Sequence, residues 1–116
     1  MVDSKMGKIE KYRQIVKTLL SEYASYQPAY STVARQLIID AEQDHYLLFN
    51  TGWDKIERIH GTSIHIDIIG DKIWLQENRT DVDIAQELVR MGVAREDIVL
   101  GFLPPSRRQY TEYATS

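Results

Sequence analysis

The sequence contains no cysteine and, among its 116 residues, only six glycines and three prolines. Without cysteine there is no disulfide framework, no thiolate nucleophile and no cysteine-based metal site. No apolar run approaches the roughly 18 residues that a membrane-spanning helix requires, and the first seven residues lack the hydrophobic segment of a secretory signal. We therefore expect a cytoplasmic protein with no membrane association and one domain over residues 1–116, of which 1–7 are expected to be flexible.

The sequence also lacks a large excess of charge of one sign, because 14 basic and 17 acidic residues leave a net charge of only −3. A domain that coats phosphate backbones usually has a strong basic excess. The distribution is uneven: residues 1–26 hold five basic and three acidic side chains, whereas residues 40–87 hold four basic and eleven acidic ones. This polarity favours attraction within one molecule or between two copies, and a solvated surface of uneven charge is the plainer alternative.

An amphipathic helix is predicted over residues 8–26. Apolar side chains recur there at the three-and-four spacing that places them on one helical face. They are Ile9, Tyr12, Ile15, Val16, Leu19, Leu20 and Tyr23. Pro28 should stop the helix, because the residue before a proline disfavours helical geometry.

The spacing of apolar residues then changes to two, which indicates strands. The pattern predicts strands at Val33–Asp40, Asp44–Thr51 and Ile56–Ile69. The segment Gly52-Trp53-Asp54 is interpreted as a turn, and Gly61 as a bend or bulge in the third strand.

The clearest hairpin joins Ser63–Ile69 to Lys72–Glu77 through a Gly70-Asp71 loop, which suits a primed two-residue turn. Such a loop fixes the register, so that Ile68 faces Ile73 on the core side. The opposite face then pairs Asp67 with Trp74, His65 with Gln76, and Ile69 with Lys72.

A second helix is predicted from Thr80, as the N-terminal cap, to about Met91, with a left-handed Gly92 ending it. A buried strand follows at Asp97–Phe102, and a short helix is expected in the tail. The order of elements predicts an α+β fold. It comprises an N-terminal helix, an antiparallel β-meander of about four strands, a second helix, a final strand and a short C-terminal helix.

Catalytic signals are weak. His65 and Asp67 share a strand face about 7 Å apart, and could hold a metal or a proton only with help from a neighbouring strand, for example from His45 or Gln76. No serine nucleophile elbow and no glycine-rich phosphate loop is present. We therefore predict no enzyme, no cofactor and no metal, with a metal-dependent enzyme built on His45, His65 and Asp67 as the least favoured alternative.

Aromatic residues carry a stronger signal. Trp53 lies in the predicted turn, Trp74 on the polar sheet face, and Tyr110 and Tyr113 follow Arg107-Arg108. Exposed aromatic and arginine side chains are typical anchors of protein interfaces, and the same mixture can stack on single-stranded nucleic acid. Ordinary packing at the edge of the core is the alternative for each of them.

Taken in order, a set of short motifs resembles the XisI family, the fdxN element excision controlling factors of cyanobacteria. The resemblance covers about residues 8–114. The motifs are Glu10-Lys11-Tyr12-Arg13, Asp44-His45-Tyr46, Gly52-Trp53, His65-Ile66-Asp67-Ile68, Asp71-Lys72-Ile73-Trp74, Ile84-Ala85-Gln86-Glu87-Leu88-Val89, Met91-Gly92-Val93, Glu96-Asp97-Ile98-Val99-Leu100-Gly101-Phe102 and Arg108-Gln109-Tyr110-Thr111. Two departures are Leu103, where relatives often carry histidine, and the Asn78-Arg79-Thr80-Asp81 lead into the second helix.

The resemblance implies an accessory role in programmed excision of a DNA element during heterocyst development, in which a separate recombinase cuts the strands. It also implies a companion, XisH, which resembles an endonuclease. It implies no catalytic residue. The leading hypothesis is a non-enzymatic factor that binds the companion through Trp53, His65, Asp67 and Trp74.

The alternative hypothesis is direct contact with DNA by a homodimer or other homo-oligomer, whose footprint would be larger than that of one chain. Its contact residues would be the basic side chains of the first helix and the tail. They are Lys8, Lys11, Lys17, Arg107 and Arg108.

Overall fold

The computed structural model describes residues 4–26 and 32–116. It confirms the predicted α+β fold. In chain order the elements are α1 (Ser4–Ser25), β1 (Ala34–Asp40), β2 (His45–Asp54), β3 (Glu57–Ile69), β4 (Lys72–Asn78), α2 (Ile84–Arg90), a 3-10 turn (Arg95–Asp97), β5 (Ile98–Leu100) and α3 (Pro105–Arg108). Residues 1–3 of the segment expected to be flexible, and the expected helix stop at Pro28, lie outside the described residues.

The five strands form one sheet in the order β1-β2-β3-β4-β5. The first four make the antiparallel meander that was predicted, whereas β5 pairs in parallel with β4. Parallel pairing requires a crossover between the two strands, which the segment containing α2 provides. The sheet is therefore mixed.

The β3–β4 hairpin has the predicted register only near its loop. Ile68 faces Ile73 and Asp67 faces Trp74, but a bulge then shifts the pairing, so that His65 lies opposite Glu77. The predicted pairing of His65 with Gln76 is wrong, because Gln76 is the extra residue of this bulge.

The β2–β3 connection also differs from its prediction. Gly52-Trp53-Asp54 is not a turn but the end of β2, and Asp54 pairs directly with Glu57. The turn is formed by the next two residues, with Lys55 in the left-handed region at φ 58°. The bulge in this pair of strands falls at the shift between Leu48 and Phe49, not at Gly61.

Helix α2 begins later than predicted. Thr80 does not cap it, because its hydroxyl donates to Oδ1 of Asn78 at 2.6 Å in the preceding loop. Asp83 is the cap, and its carboxylate accepts from the backbone N–H of Gln86 at 3.1 Å. Gly92 ends the helix with φ 115°, in line with the prediction.

The core lies between one face of the sheet and the helices α1 and α2. The whole apolar stripe predicted for α1 is buried in it or packed against it. From the sheet and α2 its buried members include Tyr46, Leu48, Ile64, Ile66, Ile68, Ile73, Leu75, Ile84, Leu88 and Ile98. Among the described residues, no helix is long and apolar enough to cross a membrane.

Two polar contacts fix α1 on this core. Tyr12 donates to Oδ2 of Asp97 at 2.6 Å, and Nζ of Lys8 lies 2.9 Å from the same oxygen. The next residue, Arg13, binds both carboxylate oxygens of Asp44, at 2.9 and 3.0 Å. A bidentate arginine–carboxylate pair has a fixed geometry, so the helix is held in orientation as well as in position.

Candidate functional site

The sheet face turned away from α1 brings three chemically active side chains together. His45 begins β2 and lies directly opposite Asp67 of β3. His65 precedes Asp67 by two residues, so both side chains emerge on the same face of β3. The pairing of β2 with β3 therefore places His45 next to Asp67, and the two-residue repeat of β3 places His65 there as well.

Asp67 is the centre of this cluster. Its Oδ1 lies 2.6 Å from Nδ1 of His45 and 2.7 Å from Nε2 of His65. Its Oδ2 accepts a hydrogen bond from the side-chain amide of Gln76 at 3.2 Å. We call these four residues the His–Asp cluster.

Burial differs sharply within the His–Asp cluster. Asp67 is only 6% exposed, whereas the side chains of His45 and His65 are 42% and 31% exposed. The hydrogen bond to Asp67 raises the pKa of His45 above its usual value of 6.5. A buried carboxylate with two solvent-accessible imidazoles can accept a proton, bind a cation or contact a partner.

Of the four residues predicted to bind a partner, the structure brings three together. Trp74 pairs with Asp67 across the β3–β4 hairpin. The guanidinium of Arg108 lies 5.1 Å from the centre of the Trp74 ring, a cation–π contact. Trp53 is eight residues further along β2 than His45, about 26 Å away at the strand repeat.

The same sheet face is apolar as well as polar. It includes one exposed apolar side chain from each of the first three strands. They are Ile38 of β1, Trp53 of β2 and Ile69 of β3, which are 43%, 51% and 52% exposed. The ring of Phe49 packs edge-on against His60, 5.0 Å between ring centres. We call this surface the open face. Apolar side chains left exposed together are typical of an interaction site.

The basic residues considered for DNA contact are less available. Lys8 is paired with Asp97, and Arg108 donates to the backbone carbonyls of Leu100 and Leu103 at 3.3 and 3.1 Å. Arg107 is exposed, as is Lys11, while Lys17 is half-buried. Two of the five proposed cations are therefore already engaged within the chain.

The tyrosines of the tail separate in the structure. Tyr110 is 83% exposed, whereas Tyr113 packs against the core. The short helix α3 ends at Arg108, before either of them.

Sequence reasoning named His45 and Gln76 as helpers but did not place both at Asp67. The two-residue loop of the β3–β4 hairpin fixed the position of Asp67, but nothing local indicates the bulge that admits Gln76. No sequence pattern indicates that position 101 must be glycine either, although an added side chain at Gly101 would collide with the amide oxygen of Gln76.

The chain was compared with known proteins. Residues 6–115 match the family model described as XisI protein. A XisI-like protein from Anabaena variabilis ATCC 29413, known from a crystal structure, is 50% identical, with a TM-score of 0.87 over 93% of this chain and 99% of that one. A second crystal structure from the same organism, fdxN element excision controlling factor XisI, is 34% identical, with a TM-score of 0.80 over 94% of this chain and 99% of that one. No curated protein matches the chain.

Proposed function

Because the chain belongs to the XisI family, we propose that it is a non-enzymatic accessory factor that controls excision of a DNA element. It acts by binding a companion protein of the endonuclease-like XisH type. One relative, at 34% identity, carries the name of an fdxN element excision controlling factor. That name describes control rather than strand cleavage, which supports the accessory role.

The open face is the observation that carries this proposal. Trp53, Ile38 and Ile69 are more than two-fifths exposed there, and Trp74 is half-buried beside the carboxylate of Asp67. Aromatic residues with desolvated polar neighbours contribute most of the binding energy in protein interfaces. The open face supplies both kinds of residue on one rigid sheet.

Charge supports a nuclease-like partner. Residues 40–87, which include all of β2, β3 and β4, hold eleven acidic side chains against four basic ones. A protein that binds DNA presents a basic groove, and complementary charge speeds and orients association with such a surface. This acidic central region can therefore cover the groove and keep DNA out of it.

Co-purification with the XisH-type companion tests the proposal. The full chain and the companion are mixed at micromolar concentration, and the complex is measured by size-exclusion chromatography and calorimetry. Trp53→Ala and Trp74→Ala should each weaken the complex by about 30-fold, the equivalent of a 2 kcal/mol hot spot.

Tyr26→Ala is the matched control. Tyr26 is 64% exposed and aromatic, but it lies beside α1, where Arg35 of β1 packs over its ring at 5.6 Å. Its removal should leave the affinity unchanged. Absence of a complex in both low and moderate salt would contradict the proposal, as would equal losses in all three variants.

Direct DNA contact is the alternative hypothesis, and the same purified chain can be used to test it. A gel shift with a salt titration should show no shift, or a weak one. A strong shift whose affinity falls steeply with salt indicates several phosphate contacts. If Lys11→Ala and Arg107→Ala both reduce that shift, the DNA-binding alternative replaces the companion-binding one.

A further inference from the structure

Asp67 differs from Asp97, the other buried acid among the described residues, in what balances its charge. Asp97, 8% exposed, has the ammonium group of Lys8 at 2.9 Å. Asp67, 6% exposed, has no lysine or arginine within 4.0 Å among the described residues. A buried carboxylate without a permanent counter-charge is costly. Its neighbours are two imidazoles, which carry no permanent charge, and one amide.

From this geometry we propose that the His–Asp cluster is a binding site for a divalent transition-metal ion of the zinc type. The ligands are Nδ1 of His45, Nε2 of His65 and Oδ1 of Asp67. These atoms lie within 4.8 Å of one another. The ion supplies the positive charge that Asp67 lacks.

The ligand set selects the class of ion. Two imidazole nitrogens and one carboxylate oxygen suit Zn²⁺ and similar ions, whereas Mg²⁺ and Ca²⁺ prefer oxygen ligands throughout. In a tetrahedral zinc site the ligand atoms stand about 3.3 Å apart, given bonds of about 2.0 Å. The two nitrogens lie 2.6 and 2.7 Å from Oδ1 and within 4.8 Å of each other. They reach the tetrahedral spacing by moving about 0.6–0.7 Å away from Oδ1 and closer to each other.

The surroundings resemble those of a metal site in a second respect. Gln76 holds Oδ2 of Asp67 and so orients the carboxylate, the task that outer partners perform for metal ligands. The lack of a side chain at Gly101 leaves room for the amide oxygen of Gln76. With three ligands from the chain, a fourth position faces the open face and takes water or a group from another molecule.

This proposal departs from our expectation of no metal. That expectation rested on the roughly 7 Å repeat between His65 and Asp67 and on the lack of a sequence pattern that supplies three or four converging ligands. In the structure the two side chains lean toward each other until their polar atoms are 2.7 Å apart. The cross-strand partner His45 then supplies the third ligand. The site does not depend on companion binding, and its test uses the chain alone.

Zinc binding is measured by isothermal titration of the full chain, purified without a histidine tag and treated with a chelator. We expect one Zn²⁺ per chain, with a dissociation constant on the order of 1 μM or below. His45→Ala should weaken binding more than about 100-fold. Gln76→Ala should weaken it about 10–100-fold, the usual effect of losing an outer partner.

His60→Ala is the matched control, because His60 lies on the same sheet face with its ring against Phe49, outside the cluster. Its affinity for Zn²⁺ should equal that of the unmodified chain. Imidazole ¹⁵N NMR of the unmodified chain needs no variant to fold: Zn²⁺ should shift Nδ1 of His45 and Nε2 of His65 and leave His60 unmoved. Binding weaker than about 100 μM, or equal losses in His45→Ala and His60→Ala, would overturn the site.

Discussion

Removing a single hydroxyl group should reveal how strongly α1 is held to the rest of the chain. In Tyr12→Phe the hydroxyl that donates to Asp97 at 2.6 Å is lost, together with its weaker contact to the backbone N–H of Ala94 at 3.4 Å. Tyr12 is 3% exposed and Asp97 8% exposed, so water does not replace the lost partner without rearrangement.

The expected cost follows from these contacts. A hydrogen bond to a charged group contributes about 1.5–3 kcal/mol, and a buried acceptor left without its donor keeps its desolvation penalty. Lys8 stays on Asp97 and limits the loss, so we expect a decrease of about 2 kcal/mol in the free energy of unfolding. For a chain of this length, that corresponds to a fall in Tm of about 8 °C.

The cost should depend on pH. Burial raises the pKa of Asp97, but the hydrogen bonds from Tyr12 and Lys8 outweigh burial and hold the pKa below the usual 3.8. A carboxyl group whose pKa is lowered by folding contributes stability above its unfolded pKa and loses it as pH falls through its folded pKa. The difference between Tyr12→Phe and the unmodified chain should therefore be complete at neutral pH and shrink below about pH 4.

Urea unfolding followed by circular dichroism measures both effects. Tyr23→Phe is the control, because Tyr23 is half-buried on the same helix and its hydroxyl bonds to none of the described residues. It should change stability by less than about 0.5 kcal/mol. A loss in Tyr12→Phe that is equally small, or that persists unchanged in acid, would refute the assigned role of Asp97.

Two further substitutions test other parts of the fold. Asp44→Ala should lower the free energy of unfolding in urea by about 2–3 kcal/mol, because it removes the partner of Arg13 and leaves the buried hydroxyl of Tyr46 without its acceptor. Asp44→Asn should lower it less, and equal losses in the two variants would contradict these contacts. Gly70→Ala should lower stability only by the roughly 1–2 kcal/mol of a left-handed residue, since Gly70 has φ 64° and open space around it. Gly52→Ala should lower it clearly more, because an added Cβ would lie 2.5 Å from a backbone oxygen. The reverse order of the two variants in thermal unfolding would be inconsistent with the structure.

Long, strongly periodic segments were predictable from the sequence. The apolar stripe of α1 entered the core as expected, because seven residues at helical spacing leave few alternatives. The register of the β3–β4 hairpin near Gly70 was also predictable, because a slip of one residue would bury polar side chains.

The predictions failed where a specific contact in the folded chain outweighed the local preference of a residue. Gly52 suggests a turn by composition, but it serves a close backbone approach within β2, next to Thr32. Thr80 has the chemistry of a helix cap, but its hydroxyl bonds to Asn78 and the helix starts at Asp83 instead. Each failure reflects a contact that the sequence pattern does not contain.

The His–Asp cluster was half predictable. Alternation placed His65 and Asp67 on one face, and the cross-strand position of His45 depended on where the β2–β3 turn falls. That turn falls at residues 55–56, after the predicted Gly52-Trp53-Asp54. Gln76 could not be placed, because a bulge in β4 brings it within reach of Asp67.

The contact between Tyr12 and Asp97 joins residues 85 positions apart, and it sets an order for synthesis. When α1 leaves the ribosome, the carboxylate that anchors it has not been made. The neighbouring parallel strand β5, and the backbone bond from Ala114 to Ile98 at 2.8 Å, come later still. The native core, which includes Ile98, therefore closes only when almost the entire chain has been translated.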